Sequence, residues 1–426
     1  PFWLRARGGC GALRTRASVA VRDMDSRIRT LKWDPPATPT PAAMHEDIYG
    51  HSATVVSGAV WVLGGKTEDG RGMTVHVLRL LDGSWADRSA AGGHRPGRRW
   101  GHSACAVGEG VGGPGALLLL VGGFDSCHNL RDTWRLDTED AAFAQPRLDK
   151  ELGHYGAYHS LVYDPTDQRA YLFGGQCCVG GPYEYSNDVH VAQLDAGCES
   201  ANWRKARDLR GARPHARAQH CAALSGGAMI VYGGAAAGRQ FNDVWRLDLA
   251  QGTWAELAAS GTGPGRRPPP VEHEVEEHHF RVHCCRAFAT ARGGRLLVVA
   301  RGPGAARWGH LGLHSFDLSS MRWTTLPVES RAPWTGNFAA WVAPGGDARG
   351  AGDRVCVLGG HGGGGAQQPR CSLWALPLCS SPPRLVELTL LRAVARGRPA
   401  GALSALPDEG MRLVLRFVSG HVLDLL

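Results

Sequence analysis

A short motif centred on histidine recurs along this chain, and its repetition constrains the fold more than any other feature. Gly50-His51-Ser52-Ala53 returns as Gly101-His102-Ser103-Ala104, and weaker copies are centred on His159 and His220. Successive copies lie about 50 to 60 residues apart, a period that indicates one structural unit repeated along the chain. Behind each copy an apolar run closes on a glycine pair, at Gly64-Gly65, Gly122-Gly123, Gly174-Gly175 and Gly233-Gly234, with a further pair at Gly359-Gly360.

Most units contain four short segments with the character of β-strands. The first follows the histidine, the second ends at the glycines, the third carries an aromatic residue and the fourth carries tryptophan. Those tryptophans are Trp85, Trp203, Trp254 and Trp323. Strands buried on both faces read as continuous apolar runs, and glycine pairs let two backbones approach closely. Four strands per unit of this length predict the blades of an all-β propeller.

These motifs, recurring in this order across most of the chain, resemble the Kelch-repeat family of β-propellers. Four regular units and two degenerate ones begin near His51, His102, His159, His220, Phe280 and Phe338. The last unit lacks a fourth strand, which Leu31-Lys32-Trp33 would supply by pairing back into it, closing the ring and removing its open edges. The resemblance therefore implies a six-bladed Kelch β-propeller with a short C-terminal helical segment.

The expected domain organisation has three parts. Residues 1–30 are expected to be a disordered or truncated N-terminal segment. Residues 31–379 are expected to form the propeller, with 31–34 as the closing strand of the last blade. Residues 380–426 are expected to form a helical tail, because Leu385, Leu388 and Leu391 follow helical spacing.

The tail resembles the elongin-binding box that follows the propeller in Kelch-domain substrate receptors of cullin-2 ubiquitin ligases. Leu385, Thr389 and Ala393 match the spacing of that box, and Leu406-Pro407 stands where its downstream Leu-Pro is expected. The resemblance implies elongin B/C and cullin-2 as partners. The segment beginning at Leu406 also resembles the opening of an F-box, for which Skp1 would be the partner. A helical cap packed on the propeller is the third interpretation.

The loops at one end of the propeller are the expected ligand-binding surface. We call this surface the rim; its loops precede the first strand and follow the second strand of each unit. Such loops vary while the blades hold them rigid, and arginine, prominent among them, binds carboxylates through paired N–H donors. The predicted ligand-binding residues are Arg98, Arg99, Trp100, Tyr155, Arg213, Arg217, Arg239 and Gln240.

No group of residues has the spacing of a catalytic or metal site. In the segment from His273 to His279 the next histidine follows the first by five residues, whereas a helical zinc site needs four. We interpret this segment as a polar loop between units and the four repeated histidines as structural. We therefore predict no cofactor, no metal and no enzymatic activity, with a metal-dependent propeller enzyme as the contrary hypothesis.

The composition disfavours several classes of protein. The net charge of +8 is modest for 426 residues, and the sequence has no dense run of Lys and Arg with interleaved aromatics, so no nucleic-acid partner is expected. No stretch approaches the 18 apolar residues of a membrane span. The twelve cysteines lack the spacing of a disulfide framework, which favours reduced thiols and a cytoplasmic or nuclear protein.

These observations predict a protein-binding adaptor that reads a short peptide at the rim as a substrate receptor of a cullin-RING ubiquitin ligase. The alternative is a Kelch scaffold protein without a link to a ligase. Some Kelch receptors grip a C-terminal carboxylate with two arginines, and the matching positions here are Ala235 and Gln240. That departure disfavours a terminal carboxylate as the ligand.

Overall fold

The computed structural model of the chain describes most of the repeated region. The described residues are 48–66, 73–89, 93–108, 116–148, 156–177, 183–261, 263, 288–292, 294–301, 311–326, 328, 338–343, 354–359 and 373–377. Every regular element among them is a β-strand, and none forms a helix that would reach across a membrane. The predicted helical tail, 380–426, lies outside these residues, as do the N-terminal segment and the predicted closing strand at 31–34.

The first four sheets each contain four antiparallel strands in the order of the repeat. The first sheet comprises β1 (Ser52–Val56), β2 (Ala59–Leu63), β3 (Val75–Arg79) and β4 (Trp85–Asp87). The second comprises β5 (Ser103–Val107), β6 (Leu117–Phe124), β7 (Asn129–Asp137) and β8 (Phe143–Ala144). The third comprises β9 (Ser160–Asp164), β10 (Arg169–Phe173), β13 (Val189–Leu194) and β14 (Ala201–Lys205). The fourth comprises β15 (Cys221–Ser225), β16 (Ala228–Tyr232), β19 (Val244–Asp248) and β20 (Thr253–Leu257).

The remaining strands form two further sheets and two small hairpins. The fifth sheet comprises β21 (Ser260–Gly261), β22 (Phe288–Arg292), β23 (Arg295–Arg301), β24 (Leu311–Asp317) and β25 (Arg322–Leu326), with β21 parallel to β25. The sixth comprises β26 (Ala339–Ala343), β27 (Arg354–Leu358) and β28 (Leu373–Pro377). The hairpins are β11 (Gln176–Cys177) with β12 (Glu184–Tyr185), and β17 (Ala235–Ala236) with β18 (Arg239–Gln240).

The six sheets form a closed ring around a central axis. The first strands β1, β5, β9, β15, β22 and β26 neighbour one another in turn, and β26 returns to β1. Five sheets have all four strands of a blade, whereas the sixth has three described strands. The prediction of a propeller is confirmed, but the structure has five complete blades where the sequence predicted six. The fourth strand expected for the last sheet falls on residues that are not described.

Apolar packing between neighbouring sheets holds the ring together. Each adjacent pair encloses its own buried cluster, including the sixth and first sheets, where Trp341 and Leu358 pack with Val60 and Val62. Every residue of β16 is buried because the sheet has a neighbour on both faces. The continuous apolar runs of the sequence are therefore strands covered on both sides.

The repeated histidines are structural, as predicted. His51, His102, His159 and His220 are all buried. Three of them lie against the first glycine of the pair in the preceding sheet, and His51 lies against Gly359 of the sixth sheet. At Gly359 (φ +64°) a Cβ would stand 2.9 Å from His51 Cε1, which is too close for any other residue. The repeated histidine of one blade therefore packs against the first glycine of the pair in the neighbouring blade.

Candidate functional site

The structure assembles the rim as expected from the order of the strands. In four successive sheets, one backbone bridge joins the loop before the first strand to the loop after the second. These bridges are Tyr49–Lys66, Trp100–Phe124, Ala157–Gln176 and Ala218–Ala235. Because antiparallel neighbours begin and end at the same edge of a sheet, these loops lie side by side and form one surface.

Two of the predicted ligand-binding arginines lie inside the blades instead of on the rim. Arg99 is 1% exposed and donates two hydrogen bonds to the carboxylate of Asp132, at 2.6 and 2.8 Å. Arg217 is 0% exposed and makes the same two bonds to Asp243, at 2.6 and 2.9 Å. Their remaining donors contact backbone carbonyls, including Gly122 O and Gly233 O. Each guanidinium is buried and donates four hydrogen bonds within its blade, so it is not part of the surface that a rim ligand contacts.

The two buried arginines keep their aspartates ionised. Burial alone would raise the pKa of Asp132, but the hydrogen bonds and charge of Arg99, with a bond from the Trp134 indole, outweigh it and lower that pKa. The pKa of Asp243 is lowered by the same balance, with Arg217 as the cation. Each arginine therefore secures the loop before a first strand to the start of a third strand.

The other predicted residues are divided between the surface and the interior. Arg98, Arg213, Arg239 and Gln240 are exposed on rim loops. Arg213 donates one bond to Leu209 O at 2.9 Å. Trp100 is buried and packs edge-on against Phe124, with ring centroids 5.2 Å apart. Tyr155, like the tail residues Leu385, Thr389, Ala393, Leu406 and Pro407, lies outside the described residues.

Two exposed cations of the rim lie over aromatic rings. The exposed Lys66 ammonium lies 5.2 Å from the Trp100 ring centroid and 5.9 Å from that of Tyr49. On the fourth sheet, the Arg239 guanidinium carbon lies 5.2 Å from the Phe241 ring. Such stacking fixes a cation in place while leaving its donors available to a ligand. Sequence reasoning missed Phe241, although its position directly after Arg239-Gln240 was a usable signal.

The centre of the rim contains two strained residues that sequence reasoning did not select. Gly50, Gly101, Tyr158 and Gln219 each precede a repeated histidine and have φ of 68°, 66°, 59° and 60°. Gly101, Tyr158 and Gln219 each donate their N–H to the carbonyl of the equivalent residue one sheet earlier, at 2.7, 2.6 and 2.8 Å. A left-handed conformation costs a non-glycine residue about 1–2 kcal/mol. The signal in the sequence was the loss of glycine from an otherwise repeated Gly-His pair.

Gln219 combines this strain with an unsatisfied polar atom. Its side chain is buried, and its Oε1 has no hydrogen-bond partner among the described residues. A buried acceptor without a donor costs about 1–3 kcal/mol. Backbone strain and a buried, unpaired acceptor therefore coincide at Gln219, near the centre of the ring.

The described residues contain no group of three side chains able to hold a metal ion. The segment from His273 to His279 lies outside them. Burial raises the pKa of the Cys198 and Cys356 thiols to about 12, which disfavours the reactive thiolate form.

Comparison with known proteins agrees with this geometry. The KLHDC2/KLHL20/DRC7 Kelch-repeats domain matches residues 115–360, more than half of the chain. The chain belongs to the Kelch-repeat family. Kelch-repeat propellers are typically non-enzymatic. The matched region runs from the second sheet to the glycine pair of the sixth and includes the degenerate fifth sheet.

Several curated proteins share the Kelch region. Kelch domain-containing protein 3 of Rattus norvegicus is 24% identical over 249 residues, which is 55% of this chain and 62% of that protein. Multiple epidermal growth factor-like domains protein 8 of Rattus norvegicus is 28% identical over 63% of this chain and 9% of its own length. Serine/threonine-protein phosphatase BSL2 of Arabidopsis thaliana is 28% identical over 53% of this chain and 21% of its own length. The chain thus spans less than two thirds of each of these relatives.

Proposed function

We propose that this Kelch propeller binds a protein ligand at its rim and that the ligand contributes acidic side chains. The observation that carries the proposal is the pair of stacked cations, Lys66 on Trp100 and Arg239 on Phe241, on exposed loops of a rigid ring. Arg98 and Arg213 add two more exposed positive charges. Carboxylates are the protein groups that match such cations, because guanidinium and ammonium donors bond them with charge assistance.

Among the described residues of the same loops, exposed acids are fewer than exposed cations. Asp125 accepts hydrogen bonds from Cys127 N and His128 N, at 2.9 and 2.6 Å, so its carboxylate is committed to its own turn. Glu184 is exposed on β12. Among the described residues of these loops, the four exposed cations therefore face two exposed acids, Glu184 and Asp208, besides Asp125. The rim favours an anionic partner.

A peptide array tests the rim directly. We expect the full chain to bind acidic peptides in preference to their amide counterparts, and the double variant Lys66→Glu, Arg239→Glu to lose at least about tenfold in affinity. Arg79→Glu is the matched control, because Arg79 is equally exposed but ends β3 at the edge opposite the rim. Equal binding by the double variant and the control would remove the rim from the proposal.

The finer proposal is that the tail recruits a ubiquitin ligase to whatever the rim binds. Its support is the sequence resemblance of Leu385, Thr389 and Ala393 to an elongin-binding box, followed by Leu406-Pro407. On this proposal elongin B/C and cullin-2 are the partners, with Skp1 as the alternative, and the protein acts as a substrate receptor. A cytoplasmic or nuclear location stays a prediction.

Co-purification separates this role from that of a scaffold without a ligase. We expect the full chain to retain elongin B/C, and Leu385→Asp to lose it while keeping the rim's peptide binding. The rim variant Lys66→Glu, Arg239→Glu serves as the reciprocal control, since it should keep elongin and lose the peptide. Retention of Skp1 alone would favour the F-box interpretation, and retention of neither would leave the scaffold function.

A further inference from the structure

A groove opens between the third and fourth sheets, bounded by the link that joins them and by the turn between β19 and β20. Tyr232 ends β16 beside the rim and pairs with Val244, so β19 runs from there to the turn at Asp248 that borders the groove. The cavity has a volume of about 110 Å³. Lys66 and Arg239, the stacked cations of the rim, do not line it.

The interior of the groove is apolar. Val191 and Leu247 are buried beneath it, and Leu209 and Leu249 are half-buried along its sides. An apolar cavity of about 150 Å³ can hold a benzene molecule. The volume of this groove suits a single aliphatic side chain.

A set of unpaired arginines borders this apolar space. Arg204 lines the groove, and Arg207 and Arg210 follow it on the link to the fourth sheet; all three are exposed and form no ion pair with described residues. The link carries one exposed acid, Asp208. Lys205 on the same segment is already paired with an aspartate at 2.6 Å.

Two further acids beside the groove, Asp248 and Asp167, already accept hydrogen bonds within the blades. Asp248 accepts a bond from Arg246 at 3.1 Å and another from Gln251 N at 3.0 Å. Asp167 accepts bonds from Arg169 and from the Tyr171 hydroxyl, at 3.1 and 3.0 Å. The positive charge of Arg204, Arg207 and Arg210 is thus available to a partner.

We propose that this groove is a second docking site, which binds an acidic protein segment carrying one aliphatic side chain. The aliphatic side chain would enter the cavity, and acidic neighbours would contact Arg204 and Arg207. A protein segment is favoured over a small anion because the arginines recur at every third residue along the link. One carboxylate cannot reach all three, whereas several acids along a peptide can. The site goes beyond the proposed rim function and does not depend on it.

The test uses the full chain and a labelled Glu-Glu-Leu-Glu-Glu peptide whose leucine is a photo-crosslinking analogue. All measurements are made in the Lys66→Glu, Arg239→Glu background, which removes the two stacked cations of the rim. We expect crosslinks at the apolar groove residues Leu209 and Leu249. We expect Arg204→Glu and Arg207→Glu each to weaken binding at least about fivefold, and 0.5 M salt to weaken it further. Arg322→Glu, an exposed arginine at the start of β25, should bind within about twofold of the parent.

Specificity for the apolar side chain is tested separately. A Glu-Glu-Ser-Glu-Glu peptide should bind more weakly to the parent chain, and Leu209→Ser should remove that difference without removing the effect of Arg204→Glu. Equal binding of the two peptides to the parent chain would overturn the proposal, as would crosslinks that avoid the groove. A single-stranded oligonucleotide that competes for the same arginines without needing Leu209 would also overturn it. So would a parent chain that is dimeric and becomes monomeric in Arg204→Glu, since the occupant would then be a second copy.

Discussion

The Trp203 indole donates a hydrogen bond of 3.0 Å to the hydroxyl of Thr133 in the preceding sheet. Both side chains are buried, so this bond satisfies a polar group that water cannot reach. Thr133 pairs with Val121, the residue before the glycine pair of the second sheet. In the third sheet the residue before the glycine pair is Phe173, and it pairs with Val189, which is therefore the equivalent of Thr133. Val189 has no hydroxyl, and the Trp254 indole nitrogen has no partner among the described residues.

Val189→Thr should therefore stabilise the protein. The new hydroxyl would accept from Trp254 and relieve a buried donor, which is worth about 1 kcal/mol. The reciprocal change, Thr133→Val, should cost about 1–3 kcal/mol because it leaves the Trp203 donor unpaired. Urea unfolding of both variants checks the pair. A loss of stability in Val189→Thr would show that the third and fourth sheets do not reproduce the Trp203–Thr133 geometry.

The buried arginines should matter for stability more than for ligand binding. Arg217→Ala removes both bonds to Asp243 and leaves a partly buried carboxylate unpaired, which we expect to cost about 3 kcal/mol or more. Arg217→Lys should recover only part of that loss, since an ammonium cannot reproduce the two parallel bonds. Arg213→Ala, an exposed neighbour, should change the free energy of unfolding by less than about 0.5 kcal/mol. Equal stability of Arg217→Ala and Arg213→Ala would contradict this assignment.

Stability should fall with acid in two separate ranges of pH. Burial lowers the pKa of His190 from 6.5 to about 4, so protonation favours the unfolded chain, and stability is lost as pH falls from 6.5 towards 4. The pKa values of Asp132 and Asp243 are also lowered in the folded protein; their contribution is present above the ordinary value of 3.8 and is lost below it. His190→Gln should reduce the pH dependence of the unfolding free energy only in the upper range, and Asp243→Asn should reduce it only in the lower range. Unfolding free energies measured at a series of pH values would reveal both ranges.

Gln219→Gly should separate stability from binding. Releasing a left-handed glutamine gains about 1–2 kcal/mol and removing its unpaired acceptor gains about 1–3 kcal/mol, while the added backbone freedom of glycine costs about 0.5–1 kcal/mol, so a net gain of about 1 kcal/mol or more is expected. The buried Oε1 does not contact a ligand, but the added backbone freedom of the loop before β15 should weaken binding of the rim peptide. Gly101→Ala is the reciprocal control and should destabilise, because its φ is +66° and its Cβ would lie 3.1 Å from the Tyr158 ring. Unchanged peptide affinity in Gln219→Gly would show that Gln219 plays no part at the rim.

The repeat allowed the blades to be predicted because each blade is encoded locally. The histidine, the apolar second strand and the glycine pair lie within about 25 residues of one another, and their recurrence is visible without a structure. Arg99 and Arg217 were assigned to the rim because they stand in loops beside it. Their carboxylate partners are 33 and 26 residues away in third strands, a separation that the local pattern does not reveal. The degenerate fifth unit was nonetheless identified, since its apolar strand, β23, survives the loss of the glycine pair.

The contact between His51 and Gly359 joins residues from opposite ends of the repeated region. During synthesis, the first sheet leaves the ribosome long before the sixth, and until then Val60, Val62 and Leu78 have no neighbour to cover them. A growing chain should therefore expose an aggregation-prone apolar face throughout most of its translation. The apolar face of the first sheet is covered only once the sixth sheet has been synthesised and has packed against it. Truncated products that end before Gly359 should keep this face exposed and should therefore bind chaperones.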